Sequence, residues 1–186
     1  MLTDLLKQVG GLLDERRQEV AVVAIGGGGL LLLGYTKRPT RDLDLVAVIE
    51  SGALRRAEPM PRELHSAIAD VSEVNRIDPH WMNAAPSSLM DLGLPTGFMS
   101  RTVKQVYGGL TLYLASREDQ IAFKLYAAVD QGPKSKHTSD LQKLQPTNAE
   151  LLNAARWVVT HDVSEEFRGQ LVQALRHFGV SDDGSF

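Results

Sequence analysis

The sequence predicts an α/β domain over residues 1–115, followed by an all-helical region over 116–186 packed on it. Three observations predict this. Residues 20–25 and 42–49 are short apolar runs rich in valine and isoleucine, as buried strands require. Residues 102–107 and 110–114 are two strand-like runs joined by Gly108-Gly109, which reads as a hairpin. Beyond Leu114 the apolar residues recur at helical spacing behind Ser/Thr capping signals, with no further alternating run.

Taken in order, Leu2, Leu5, Leu6, Val9, Leu12 and Leu13 place an amphipathic helix over 2–18, weakened in its middle by Gly10-Gly11. A strand follows over 20–25. Gly26 to Gly29 then turn into a short buried helix over 28–33 that ends at Gly34. Residues 35–41 form a loop containing Pro39, and 42–49 form the second strand. Residues 51–61 read as a loop. A helix is expected over 62–71, with Leu64, Ile68 and Val71 on one side. A third strand is expected over 74–78, where apolar and polar residues alternate up to Pro79. Residues 81–83 extend that segment. The stretch 84–100 carries Pro86, Gly93, Pro95 and Gly97 and reads as a long loop.

After the hairpin, Ser116-x-x-Asp119 opens a helix to about residue 130. Residues 131–138 read as a polar, basic loop and 139–144 as a short helix. Thr147-x-x-Glu150 is a capping box starting a helix to about residue 160. A last helix spans 164–178 and is stopped by Gly179. Residues 181–186 are expected to fray. Trp81 and Trp157 are expected in the core.

Composition sets bounds. The 186 residues are 43% hydrophobic and 23% charged, ordinary values for a globular protein. The formal charge of −3 gives no bulk attraction to nucleic acid, although a local basic patch would suffice. With no cysteine there is no disulfide, thiolate metal site or cysteine nucleophile, which fits a cytoplasmic location. The N-terminal segment carries Asp4 and Lys7 and does not read as a signal peptide, and no apolar run is long enough to span a bilayer.

Two features carry chemistry. A glycine turn between strand and helix leaves backbone N–H groups facing a phosphate, or is simply a turn. Asp42 and Asp44, two apart at a strand's start, share one face. Two such carboxylates either remain solvated or hold a divalent cation, and Mg²⁺ is commonly held by one or two carboxylates plus substrate phosphates.

Together, Gly26-Gly27, the apolar helix, Gly34-Tyr35 and Arg38-x-Thr40-x-Asp42-x-Asp44-Leu45 resemble the nucleotidyltransferase superfamily of the DNA polymerase β-like fold. Within it, the chain most resembles the AbiEii-like and MenT-like toxin nucleotidyltransferases of bacterial toxin–antitoxin systems. Lys124-Leu125-Tyr126-Ala127 is similar to the family's Lys-Leu-x-Ala segment. Lys136-His137-Thr138-Ser139-Asp140-Leu141 is similar to its Lys-Asp-x-x-Asp-Leu segment, with His137 replacing the first aspartate.

The resemblance implies a nucleotidyltransferase-type mixed sheet with helices, a helical bundle after it, and transfer of a nucleoside monophosphate from a nucleoside triphosphate. The acceptor would be RNA or tRNA, the role that of a toxin, and an antitoxin protein the partner. It assigns Asp42, Asp44, Lys124 and Asp140 to catalysis, with Asp140 near the acceptor or orienting the lysine. It places Gly26, Gly27, Gly28, Arg38, Thr40 and Lys124 about the nucleotide. Mg²⁺ or Mn²⁺ would be held by Asp42, Asp44 and a third carboxylate on a neighbouring strand, for which Asp78 is the candidate. The family's Gly-Ser is departed from, since Gly27 or Gly28 stands where the serine would be.

Each assignment has a plainer counterpart. Lys124 lies within an apolar stripe and either snorkels to solvent or aims into a cleft. Asp78 before Pro79 is either a ligand or a turn residue. Arg38 either binds phosphate bidentately or tethers Asp42 or Asp44. Thr40 otherwise braces its loop, and His137 reads as a solvated loop histidine. Arg101, Lys104, Arg117, Lys134 and Lys136 are either an RNA-binding surface or a solvated face. Two rival functions remain: a catalytically inactive nucleotide-binding or interaction protein on this fold, and an enzyme modifying a small molecule such as an antibiotic hydroxyl.

Overall fold

The computed structural model describes residues 2–37, 39–40 and 42–180. Its contacts gather into two compact units, Met1–Ala115 and Ser116–Phe186. The first is the mixed α/β unit and the second is helical, which is the fold class the sequence predicts. No helix among the described residues is long and apolar enough to cross a membrane.

In the first unit, helix α1 (Leu2–Glu15) leads into strand β1 (Val20–Ile25), and helix α2 (Gly26–Leu32) follows without an intervening loop. Strand β2 (Leu43–Glu50) runs antiparallel to β1, and β3 (Ala53–Arg56) returns antiparallel to β2. Helix α3 (Arg62–Asn75) precedes β4 (Met82–Asn83), a two-residue strand parallel to the start of β2. A 3-10 turn (Ala85–Ser88) and helices α4 (Leu89–Leu92) and α5 (Phe98–Arg101) lead to the antiparallel pair β5 (Val103–Tyr107) and β6 (Leu110–Leu114). β6 lies parallel to β1, so the sheet order is β3-β2-β1-β6-β5, with β4 also pairing β2.

Strands β1 and β2 are buried along most of their length, which is why their sequences are continuous apolar runs. Val22, Ala24, Leu43, Leu45, Leu112 and Leu114 join Leu6, Val9 and Leu13 of α1, Leu64 and Ile68 of α3, and Trp81 in one core. Gly10 is what lets α1 approach the β5–β6 turn. A Cβ there would sit 1.5 Å from the Tyr107 carbonyl oxygen, and the Gly10 carbonyl accepts the Gly109 N–H at 2.9 Å.

Several expectations are corrected. Helix α3 runs on through Asn75 and stops at Arg76, which takes the left-handed φ of 53°. The alternation over 74–78 therefore marks no strand; Val74 is a solvent-facing helical residue, 79% exposed. Residues 51–61 are not all loop. Ser51 and Gly52, with φ of 50° and 79°, turn β2 into β3 as a two-residue hairpin requires. The long loop over 84–100 is broken by the 3-10 turn, α4 and α5.

The second unit comprises α6 (Arg117–Gln131), α7 (Lys136–Leu144), α8 (Asn148–Val158) and α9 (Glu165–His177). Ser116 caps α6 by accepting the Asp119 N–H, and Thr147 with Glu150 forms a full capping box on α8. α7 begins three residues earlier than expected because Ser135 caps it by accepting the Thr138 N–H. Trp81 is buried, as expected, whereas Trp157 is half-buried against Phe123, Tyr126 and His161.

Candidate active site

The glycine run and the carboxylates meet because β1 and β2 are antiparallel neighbours. Ile25, the last residue of β1, pairs with Asp44 near the start of β2. The glycines that follow therefore pass over that strand end. Gly26 has φ of +77°, and a Cβ on it would sit 2.6 Å from Asp44 Oδ2. A Cβ on Gly28 would sit 2.6 Å from the Asp42 carbonyl oxygen. At Gly27 the nearest atom would be Thr40 Oγ1, at 3.5 Å. Side chains at Gly26 and Gly28 would push the two segments apart; one at Gly27 would make an ordinary contact. The β1–β2 register also slips once. Val23 pairs with Ala47 and Ala24 with Leu45, leaving Val46 as a bulge that re-aims the carboxylate end of β2.

Asp42 precedes β2 and is exposed, while Asp44 is half-buried. Asn83 Nδ2 donates to Asp44 Oδ1 at 3.1 Å, and Asn83 Oδ1 accepts the Ala85 N–H at 3.0 Å. Asn83 is a contact of the candidate site that the sequence did not single out. It lies on a two-residue strand, too short to leave a periodic signal, and reaches Asp44 across 39 residues of chain.

Asp78 lies in a turn, where its Oδ1 accepts the His80 N–H at 2.8 Å. The strand position registered with Asp44 belongs to Asn83 instead. Thr40, Asp42 and Asp78 line one cavity of about 470 Å³, with Leu2, Ile77 and Trp81 among its apolar walls. The described residues contain no group of three or more His, Asp or Glu suited to a metal ion. What they offer is a pair of hard oxygen donors, one exposed and one anchored by an amide. That donor set fits Mg²⁺ or Mn²⁺, which fill their shell with water and phosphate oxygens. Arg38 lies outside the described residues.

In the helical unit, Lys124 of α6 and Asp140 of α7 meet at 2.8 Å, Nζ to Oδ2, with side chains 6% and 13% exposed. Lys124 thus does not snorkel to solvent; its amine is buried and held by a carboxylate. His137 is not a solvated loop residue. It sits in the first turn of α7, and burial, with the charges of Lys124 and Lys136, pushes its imidazole down to about 4, so it is neutral near pH 7. Arg117 donates from Nε to Glu150 Oε1 at 2.9 Å and serves the helical unit's own packing. A larger cavity of about 560 Å³, walled by Val129, Pro133, Gln170 and Phe178 among others, includes neither Lys124 nor Asp140.

No curated protein and no solved structure matches the chain. A family model described as "Nucleotidyltransferase of unknown function (DUF6036)" matches residues 1–155, which span the glycine run, the carboxylate pair and the Lys124–Asp140 pair. With most of its length matched, the chain belongs to the DUF6036 nucleotidyltransferase family.

Proposed function

We propose that this protein is a Mg²⁺-dependent nucleotidyltransferase that joins the nucleoside monophosphate of a nucleoside triphosphate to an RNA acceptor, with tRNA the leading candidate. The observation that carries the reading is the close passage of Gly26 and Gly28 over the strand end bearing Asp42 and Asp44. It brings the backbone of the glycine turn directly beside the carboxylate pair, where a phosphate held by that turn would meet an ion held by the carboxylates.

On this reading Asp42 and Asp44 hold the ion, which when bound neutralises phosphate charge and polarises the α-phosphate. Gly26 to Gly28 hold the turn's backbone close against the carboxylate strand, and Thr40 offers a hydroxyl beside Gly27. Within the helical unit, Asp140 positions the Lys124 amine through the 2.8 Å bond, and the resemblance of their segments to the family's supports a role for that pair in the reaction. The acceptor oxygen attacks the α-phosphorus as the bond to the bridging oxygen breaks. Pyrophosphate leaves with that electron pair, and the acceptor's proton passes to water. Similarity of Lys124 to Ala127 and Lys136 to Leu141 to toxin segments supports a toxin role, with an antitoxin protein as partner.

The test is incorporation of label from α-labelled nucleoside triphosphates into total RNA with Mg²⁺. Incorporation by the wild type and none by Asp42→Ala/Asp44→Ala is expected. Label that persists in the double variant overturns the assignment. No RNA label, with transfer to a small hydroxylated acceptor instead, replaces RNA as the substrate class.

A further inference from the structure

The two oxygens of Asp44 have different surroundings. β4 pairs in parallel with the start of β2, matching Leu43 with Met82 and Asp44 with Asn83. The strand is held at its start: Met82 is buried, and the Leu43 N–H donates to the Trp81 carbonyl at 2.6 Å. Asn83 therefore has little freedom to move away from Asp44.

Its amide orientation is also determined. Only a carbonyl oxygen accepts from the Ala85 N–H, so the oxygen end of Asn83 faces Ala85. The NH₂ end must then face Asp44, where it donates to Oδ1 at 3.1 Å. Oδ2 of Asp44 is the oxygen nearest the glycine turn, 2.6 Å from where a Cβ on Gly26 would sit. One oxygen is thus tethered by an amide while the other faces the glycine turn.

We propose that Asn83 is a positioning residue for the carboxylate pair: its amide holds Asp44 Oδ1 so that Oδ2 is the oxygen offered to the divalent ion. Its neutrality keeps the centre at two negative charges. The ion is then bound weakly by the protein alone and firmly once the nucleotide's phosphates join its shell. This rests on Asp44 being an ion ligand, as proposed above.

The charge at position 83 sets the test. Asn83→Asp keeps the side chain's shape and the acceptor for the Ala85 N–H, but swaps the amide donor for a third carboxylate. Asn83→Ala removes the donor and adds nothing. A residue that only filled space would leave ion binding unchanged in Asn83→Ala. The proposal predicts opposite signs.

Mn²⁺ alone, titrated into the full chain and read by loss of the free-ion electron paramagnetic resonance signal, is the probe. Asn83→Asp is expected to bind Mn²⁺ roughly tenfold more tightly than the wild type, because affinity follows ligand charge count. Asn83→Ala is expected to bind it roughly tenfold more weakly, the usual effect of removing a group that orients a ligand. Asn83→Asp should also melt below the wild type in chelator, where its carboxylate faces Asp44, and recover in millimolar Mn²⁺. If Asn83→Ala does not fold, this melting comparison decides alone: no Mn²⁺-dependent gain beyond that of the wild type overturns the proposal. Shifts of the same sign, or none, in both variants while Asp44→Asn abolishes Mn²⁺ binding overturn the role of Asn83 and leave Asp44 a ligand. Unchanged Mn²⁺ binding by Asp44→Asn overturns both readings.

Discussion

His137 shows how a single side chain changes meaning with its surroundings. Half-buried on the first turn of α7 and close to the cations of Lys124 and Lys136, it resists protonation down to about pH 4. The unfolded chain takes up that proton near pH 6.5. Between those values the unfolded state binds the extra proton, so His137 costs no stability above about pH 6.5 and an increasing amount as pH falls toward 4. Burial depresses His161 in the same direction. The melting midpoint should therefore fall from pH 6.5 to 4 less steeply in His137→Gln than in the wild type, and parallel profiles would refute the assignment. Lys124 and Asp140 are a different case at the same scale. Their 2.8 Å contact pairs two largely buried charges, so removing one partner is more damaging than exchanging both for apolar residues.

Helix α1 shows why an element's own propensities are not enough. By helix propensity, replacing either Gly10 or Gly11 with alanine gains about 1 kcal/mol. The structure separates them. A Cβ on Gly11 meets nothing within 4 Å, whereas one on Gly10 would overlap the Tyr107 backbone. Gly11→Ala should thus stabilise by about 0.5–1 kcal/mol. Gly10→Ala should destabilise by at least about 2 kcal/mol, because the backbone of the β5–β6 turn must shift. Urea unfolding of the two variants reads both signs directly. The same lesson applies to α3, whose last turn looks alternating in sequence, and to β3, whose pairing with β2 depends on the Ser51-Gly52 turn.

At the scale of the whole molecule, the carboxylate pair sits on groups the fold can spare. Asp42 is exposed, and Asp44 makes its 3.1 Å bond with Asn83 from a half-buried position. Losing that bond costs about 1 kcal/mol, and relief of repulsion between the carboxylates offsets part of it. The Asp42→Ala/Asp44→Ala variant should therefore melt within about 4 °C of the wild type while losing transfer activity. A drop well beyond that would mean the lost activity reports unfolding. The net charge of −3 adds a whole-molecule constraint: any RNA contact must come from a local concentration of basic residues, with Arg117 already engaged by Glu150.

The sequence by itself determined what short-range chemistry determines. Valine-rich runs specified β1 and β2, Gly108-Gly109 the hairpin, and Ser116, Thr147 and Ser164 the starts of three helices. The glycine run and Asp42-x-Asp44 were legible as motifs because each is contiguous. Tertiary structure alone decided the register that brings Gly26 over Asp44, the bulge at Val46, the pairing of β4 with β2, and Asn83 at the place where Asp78 was expected. Those features depend on which backbone edges pair across tens of residues. A two-residue strand has too few side chains to announce its pairing, and an asparagine acquires a role only when an ordered backbone fixes which end of its amide faces the carboxylate.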